Sequence, residues 1–186
     1  MNPLIKQLKK YGNLAPEIEA ELHGKIKILK KHKGDFLLKK GQIISNLFVI
    51  EIGLVRSFYQ TGQREINLWF GFENTILGSV IPLYFNQPSI ENIQFLEDTI
   101  LYYISQDDLE SFYKSSQEMN TIGRKIAEEY CAILEERSFT LQTQTADQRY
   151  HWFLKNQPEA LQRISLGHIS SYLGISQETL SRVRKK

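Results

Sequence analysis

The chain has 186 residues, 41% hydrophobic and 24% charged, with a formal net charge of +2. That length supports one large domain or two small ones, each able to bury a core. No apolar run approaches the roughly 20 residues that cross a bilayer, and a single cysteine, Cys131, excludes an intramolecular disulfide and a cysteine-ligated zinc or iron–sulfur site within one chain.

The opening segment, MNPLIKQLKKYG, alternates apolar and basic residues without a continuous apolar core or a small-residue cleavage site. It reads as a surface helix of a cytoplasmic protein rather than a signal peptide. Residues 2–11 and 15–23 are expected to be helical, the second starting near Pro16 with Glu17 and Glu19 in its first turn. From about residue 25 the periodicity shortens. Strands are expected at 26–30, 35–38, 47–51, 54–59, 65–70, 76–81, 92–96 and 99–104. Turn signals separate many of them: Lys33-Gly34-Asp35, Lys40-Gly41, Gly53, Thr61-Gly62-Gln63 and Asn86-Gln87-Pro88. So many short strands in about 80 residues call for a closed or double-layered antiparallel arrangement, which limits exposed edges.

At Ser105 the pattern returns to helix. Ser105-Gln106-Asp107-Asp108 offers a cap for a short helix through Tyr113. A long helix is then expected over 117–142, where Met119, Ile122, Ile126, Tyr130, Ile133, Arg137 and Leu141 recur at three- and four-residue spacing. Such a stripe either docks a helix on its own domain or pairs it with a symmetry mate. The flanking charges Arg124, Lys125, Glu128, Glu129, Glu135 and Glu136 favour pairing, which nominates Met119, Ile122, Ile126, Tyr130, Ile133 and Arg137 as dimer positions. Another helix is expected over 147–156, ended by Asn156-Gln157-Pro158. The chain then divides into a strand-rich domain (1–116), a connecting helix (117–142) and a helical C-terminal domain (143–186).

The densest signal lies in ISLGHISSYLGISQETLSRVRKK, residues 164–186. Two short helices packed around a tight turn need apolar residues at fixed offsets, a small residue at their contact and glycine in the turn. Here Leu166, Ile169, Leu173, Ile175, Leu180 and Val183 supply the apolar offsets, Ser170 the contact and Gly174 the turn, with Ser165 and Ser176 as N-caps. A helical hairpin of this kind also occurs without a nucleic-acid role. The second helix argues for one, because Gln177, Glu178, Ser181 and Arg182 fall on its polar face. Arg pairs bidentately with guanine, Glu accepts from cytosine and Gln reads adenine. Arg184, Lys185 and Lys186 are placed to meet phosphates, which adds affinity and salt dependence without reading sequence.

Residues 146–186 resemble the DNA-binding end of Crp/Fnr-type transcription regulators, and ISSYLGISQETLSRVRKK resembles the form common in small Bacteroidetes members. The family's Ser-x-Glu-Thr-x-x-Arg pattern falls on Ser176, Glu178, Thr179 and Arg182. The resemblance makes Glu178 and Arg182 base readers, Gln177 a further base contact, and Ser176 and Thr179 phosphate contacts. GDFLLKKGQIISNLFVIEIGLVRSFY, residues 34–59, is similar to the opening of a cyclic-nucleotide-binding β-roll through Gly34-Asp35, Gly41 and Leu47-Phe48-Val49-Ile50…Gly53. The implied fold is α+β: an N-terminal antiparallel β-roll of jelly-roll-like, double-stranded β-helix type with flanking helices, a dimer helix, and a helix-turn-helix. The implied partners are double-stranded DNA with a pseudo-palindromic operator, a second copy of the chain, RNA polymerase, and a small-molecule effector of unknown identity.

Two departures qualify this. Nucleotide-binding members carry Gly-Glu and then an Arg, since backbone N–H groups and a cation must neutralise a buried phosphate. Here Gly78 is followed by Ser79, and Ile90, Glu91 and Asn92 stand where the Arg is expected. No Lys or Arg lies between Arg64 and Lys114. A cyclic nucleotide is therefore not expected. An apolar pocket in its place draws on the aromatics between Trp69 and Tyr113, and its nominated lining is Trp69, Leu77, Gly78, Ser79, Glu91 and Asn92. The second departure is that no residues follow Lys186 for the hairpin wing of typical relatives, which leads us to expect greater dependence of DNA affinity on the dimer. No cofactor, metal site or enzyme signature is expected: His23, His32, His151 and His168 show no ligand spacing, and no nucleophile–base pair or Walker loop appears. The rival reading is a ligand- or partner-binding sensor roll with vestigial DNA binding.

Overall fold

The computed structural model describes residues 1–185. Two short helices open the chain, α1 (Pro3–Leu8) and α2 (Pro16–Lys25). Eight strands and one helix follow: β1 (Lys27–Lys31), β2 (Phe36–Leu38), β3 (Asn46–Ile52), β4 (Val55–Thr61), β5 (Arg64–Gly71), β6 (Ile76–Leu77), α3 (Val80–Phe85), β7 (Asn92–Phe95) and β8 (Thr99–Ser105). The rest is helical: α4 (Gln106–Ser115), α5 (Gln117–Thr143), α6 (Ala146–Asn156), α7 (Ala160–Arg163), α8 (Leu166–Leu173) and α9 (Gln177–Val183).

The strands form two four-stranded sheets, ordered β1-β8-β3-β6 and β2-β7-β4-β5, and every paired neighbour is antiparallel. This is the expected β-roll. Alternation along β3 shows why its apolar run is unbroken. Phe48 and Ile50 face the other sheet with Val55, Leu77, Phe95 and Leu101, while Leu47 and Val49 face the helices with Leu4, Leu22, Ile104 and Phe112. A strand covered on both faces loses the polar half of its period-two pattern. The tight β3–β4 turn depends on Gly53, whose φ is +108° and whose missing Cβ would lie 2.3 Å from Thr99 Oγ1.

Local chemistry sets the helix boundaries. The side chains of Ser105, Ser116, Thr145, Ser165 and Ser176 each accept the third backbone N–H of the helix that follows. Thr145 and Gln148 form a reciprocal capping box, which restarts the chain as α6 directly after α5 ends. The expected strand over 76–81 is corrected. Only Ile76–Leu77 pairs, and Val80–Phe85 is helical, stopped by Asn86 at a φ of +50°. Pro82 lies in the first turn of that helix, where its missing N–H costs little. Helix α7 follows Pro158 in a segment read only as a break.

The stripe on α5 divides. Met119 and Ile122 are 0% and 1% exposed and belong to the core shared with α1, α2 and α4, and Ile126 packs at its edge. They are therefore spent within their own protomer, since α1 and α4 cover the first three turns of the helix. Farther along, Tyr130, Ile133, Leu134 and Leu141 remain 37%, 54%, 50% and 42% exposed.

Candidate nucleic-acid interface

The C-terminal hairpin is built on a small core of its own. Ile169, Leu173, Leu180 and Val183 are buried against Tyr150 and Phe153 of α6 and Ala160 and Ile164 around α7. Gly174 ends α8 in the left-handed region at a φ of +66°, and its N–H returns to the carbonyls of Ser170 and Ser171. Ile175 N–H donates to the Ser170 carbonyl at 3.1 Å, which closes the turn, and Ser170 is buried where the two helices meet.

That packing leaves one face of α9 in solvent. Gln177, Glu178, Ser181 and Arg182 are exposed, while Leu180 and Val183 point inward. Thr179 is half-buried: its N–H donates to Ser176 Oγ at 3.1 Å, and its hydroxyl accepts from Arg182 Nη2 at 3.2 Å. The nearby Ser176 hydroxyl, then its own backbone N–H and the Arg182 charge, hold the Glu178 carboxyl below the usual carboxylate range. Glu178 is therefore an ionised acceptor beside a cation, in the first turn of a helix capped by Ser176. Arg184 and Lys185 are exposed just beyond; Lys186 lies outside the described residues.

Three arginines that the sequence reading left without these roles fix the hairpin to the rest of the molecule. Arg137 on α5 stacks 3.9 Å from the Tyr172 ring of α8 and donates to the Tyr172 carbonyl. Both contacts lie within its own chain. Arg149 donates to the carbonyls of Leu173 at 2.9 Å and Gln144 at 2.6 Å, tying the end of α8 to the linker after α5. Arg163 on α7 reaches back to the β-roll. It grips Glu73 through two bonds of 2.8 Å, Glu97 through bonds of 2.9 and 2.6 Å, and stands 5.6 Å from the Phe72 ring. Its hydrogen bonds depress the Glu73 carboxyl to about 2, helped by the Gly53 N–H and opposed by burial. Around these contacts, Leu54, Phe70, Phe72 and Leu96 of the roll join the hairpin's core, and Ser171 Oγ accepts from Asn67 N–H and donates to the Glu65 carbonyl. His168, half-buried near Arg56 and Glu65, has its pKa lowered mainly by burial.

The nominated pocket residues separate inside the roll. Leu77 fills the core between the sheets and Trp69 packs against it. A Cβ on Gly78 would lie 3.1 Å from the Asn46 carbonyl, and Asn92 accepts from the Lys40 N–H. Ser79 and Glu91 do meet, at 2.8 Å between Ser79 Oγ and Glu91 Oε1. Ser57, not foreseen, donates to the other carboxylate oxygen. A cyclic phosphate does not fit these residues: a carboxylate already holds the donors, and Arg56 is turned away to Glu65 and Gln94.

Residues 28–116 match the family model of the cyclic nucleotide-binding domain. Among solved structures, FixK2 from Bradyrhizobium japonicum is similar with a TM-score of 0.71 at 18% identity, over 86% of this chain and 83% of that one. A protein described as a transcriptional regulator of the Crp/Fnr family from Eubacterium rectale gives 0.70 at 16% identity, over 92% and 82%. The catabolite activator protein of Thermus thermophilus gives 0.60 at 20% identity, over 96% and 85%. No curated protein matches the sequence significantly. The chain resembles the Crp/Fnr-type regulators and has their fold, a cyclic-nucleotide-binding-type β-roll with flanking helices and a C-terminal helical region.

Proposed function

We propose that this chain is a sequence-specific, DNA-binding transcription regulator of the Crp/Fnr type that acts as a homodimer. The observation that carries this reading is the α9 face: Gln177, Glu178, Ser181 and Arg182 are exposed on a short helix whose opposite face is buried. A helix of this size fits a major groove, and these side chains match base edges rather than phosphates. Arg184 and Lys185 lie where they would add sequence-independent attraction to the backbone.

The dimer reading rests on the middle of α5, where Tyr130, Ile133, Leu134 and Leu141 share one stripe of a 27-residue helix and stay partly exposed. An apolar stripe of that length calls for cover, and a second copy of the same helix supplies it. Two copies related by a two-fold axis would place their α9 helices on half-sites about one DNA turn apart. In this scheme residues 1–116 form the effector-type roll, 117–142 the dimer helix and 143–186 the reader. Arg137 and Arg149 would transmit any change in the pairing of α5 to the reader. Among the described residues no helix is long and apolar enough to cross a membrane, and the protein is read as cytoplasmic and non-enzymatic.

The test is selection of genomic DNA fragments by the purified chain, repeated with Arg182→Ala. The expected result is enrichment of a two-fold symmetric motif that the variant loses. Equal enrichment by both proteins, or none at low salt, refutes the reading.

A further inference from the structure

Glu91 is held by more side-chain hydroxyls than any other carboxylate in the roll. Its Oε1 accepts from Ser79 at 2.8 Å and its Oε2 from Ser57. Ser89 Oγ accepts the Glu91 N–H at 3.1 Å, donates to the Glu91 carbonyl at 3.0 Å, and lies 3.3 Å from Ser79 Oγ. The three serines come from β4, from the start of α3 and from the loop before β7, and they are 0%, 5% and 2% exposed. The loop that presents Glu91 is itself pinned: Gly41 N–H donates to the Ser89 carbonyl and Ser89 N–H to the Gln42 carbonyl, at 2.8 and 2.9 Å.

Two buried hydroxyls from separate segments converge on one anion while a third, on Ser89, braces its backbone; together they make a binding cage, and such donors are costly to leave without a partner. The cage contains no cation. The two candidate sources fail, since Arg56 is spent on Glu65 and Gln94 and the sequence has no Lys or Arg from 65 to 113. An incoming phosphate would meet a resident negative charge with nothing to offset it.

We propose that the roll carries its own internal ligand, the Glu91 carboxylate held by Ser57 and Ser79 with Ser89 bracing its backbone, and that this occupant replaces an external anionic effector. The seat is closed to nucleotides and held permanently in its filled form. This deepens the regulatory reading above, and its consequence for DNA rests on that reading: DNA affinity needs no added nucleotide. The cage itself is testable without DNA.

The experiment is thermal unfolding of the full chain with and without millimolar cyclic AMP, cyclic GMP, inorganic phosphate or acetate. It is repeated with Glu91→Ala and Glu91→Gln. The wild-type midpoint should not move with any of the four. Glu91→Ala should melt about 5 °C lower and recover about half of that loss in acetate, which returns a carboxylate to the emptied cage. Glu91→Gln, which keeps the volume and one carbonyl oxygen, should melt between the two. A wild-type midpoint raised by either nucleotide or by phosphate overturns the proposal, as does a Glu91→Ala midpoint equal to wild type. Should the alanine variant fail to fold, the wild-type titrations and the glutamine variant decide in the same terms. Failure of DNA selection leaves all of these melting results standing, so the two readings fall separately.

Discussion

Replacing Arg163 by Met removes a side chain that ties two roll carboxylates to the reader domain in one grip, while keeping an apolar stem over Phe72. The guanidinium makes four bonds of 2.6–2.9 Å to Glu73 and Glu97, and its side chain is 18% exposed against 33% for each partner. That places the cluster between an exposed pair, worth about 0–1 kcal/mol, and a buried one, whose rupture costs about 3–5 kcal/mol. A loss of about 2–3 kcal/mol follows, or a midpoint about 5–10 °C lower for a chain of this size. The pH dependence is the sharper check. Glu73 falls from 4.5 to about 2 in the folded state, and at about 1.4 kcal/mol per pH unit this caps its share near 3 kcal/mol. Partial exposure reduces that to about 2 kcal/mol.

Because the folded value is the lower one, this stability is fully present above pH 4.5 and is lost as the pH falls toward 2. Urea unfolding of wild type and Arg163→Met at pH 7, 5, 4 and 3 therefore should show a gap that is constant from pH 7 to 5 and narrows below it. A gap under about 1 kcal/mol at pH 7 refutes the argument. So does a gap of constant size down to pH 3, because the clamp's energy would then not reside in the charged Glu73 carboxyl.

Three further outcomes follow from other parts of the molecule. Arg182→Ala should lose about 1–3 kcal/mol of specific DNA binding with an unchanged melting midpoint, since its side chain is exposed; anisotropy titrations on specific and scrambled duplexes measure both terms. Ile133→Glu should leave the fold intact, as judged by circular dichroism, yet shift sedimentation from dimer to monomer at micromolar concentration, because it puts a charge in the exposed stripe. An unchanged sedimentation coefficient would show that α5 is not the seam. Gly53→Ala should cost at least about 2 kcal/mol in chemical denaturation, because a Cβ would meet Thr99 Oγ1 and the Asp98 carbonyl at 2.3 and 2.8 Å on a backbone with φ of +108°. A neutral result would mean that the β3–β4 turn can relax.

A permanently filled roll changes what regulation of such a protein can mean. A ligand shifts an equilibrium only through a difference in affinity between two states. Once Glu91 holds the cage, an external anion has no such difference to exploit. Control would then fall on the amount of protein or on contacts of α5, where Tyr130, Cys131 and Ile133 are exposed.

Much of the molecule was legible in local sequence. The hairpin of α8 and α9 obeys contacts within about four residues, so Ser165, Ser170, Gly174 and Ser176 announced its caps, its crossing and its turn. The strands of the roll showed as short apolar runs between glycine turns, and the long helix showed its period. What local pattern could not decide was who meets whom. The stripe from Met119 to Leu141 looks uniform, but α1 and α4 bury its beginning and leave its middle bare. Glu91 reads in sequence as a charge that repels phosphate; only the convergence of Ser57 and Ser79, 34 and 12 residues away, makes it an occupant. Arg163 carries no signal at all until Glu97 and Glu73, 66 and 90 residues distant, close around it. Sequence by itself determined the elements because their caps, turns and periods are short-range interactions of the backbone with its neighbours. The site chemistry was decided by the tertiary structure, because a buried charge acquires its role from partners that only folding brings within hydrogen-bond reach.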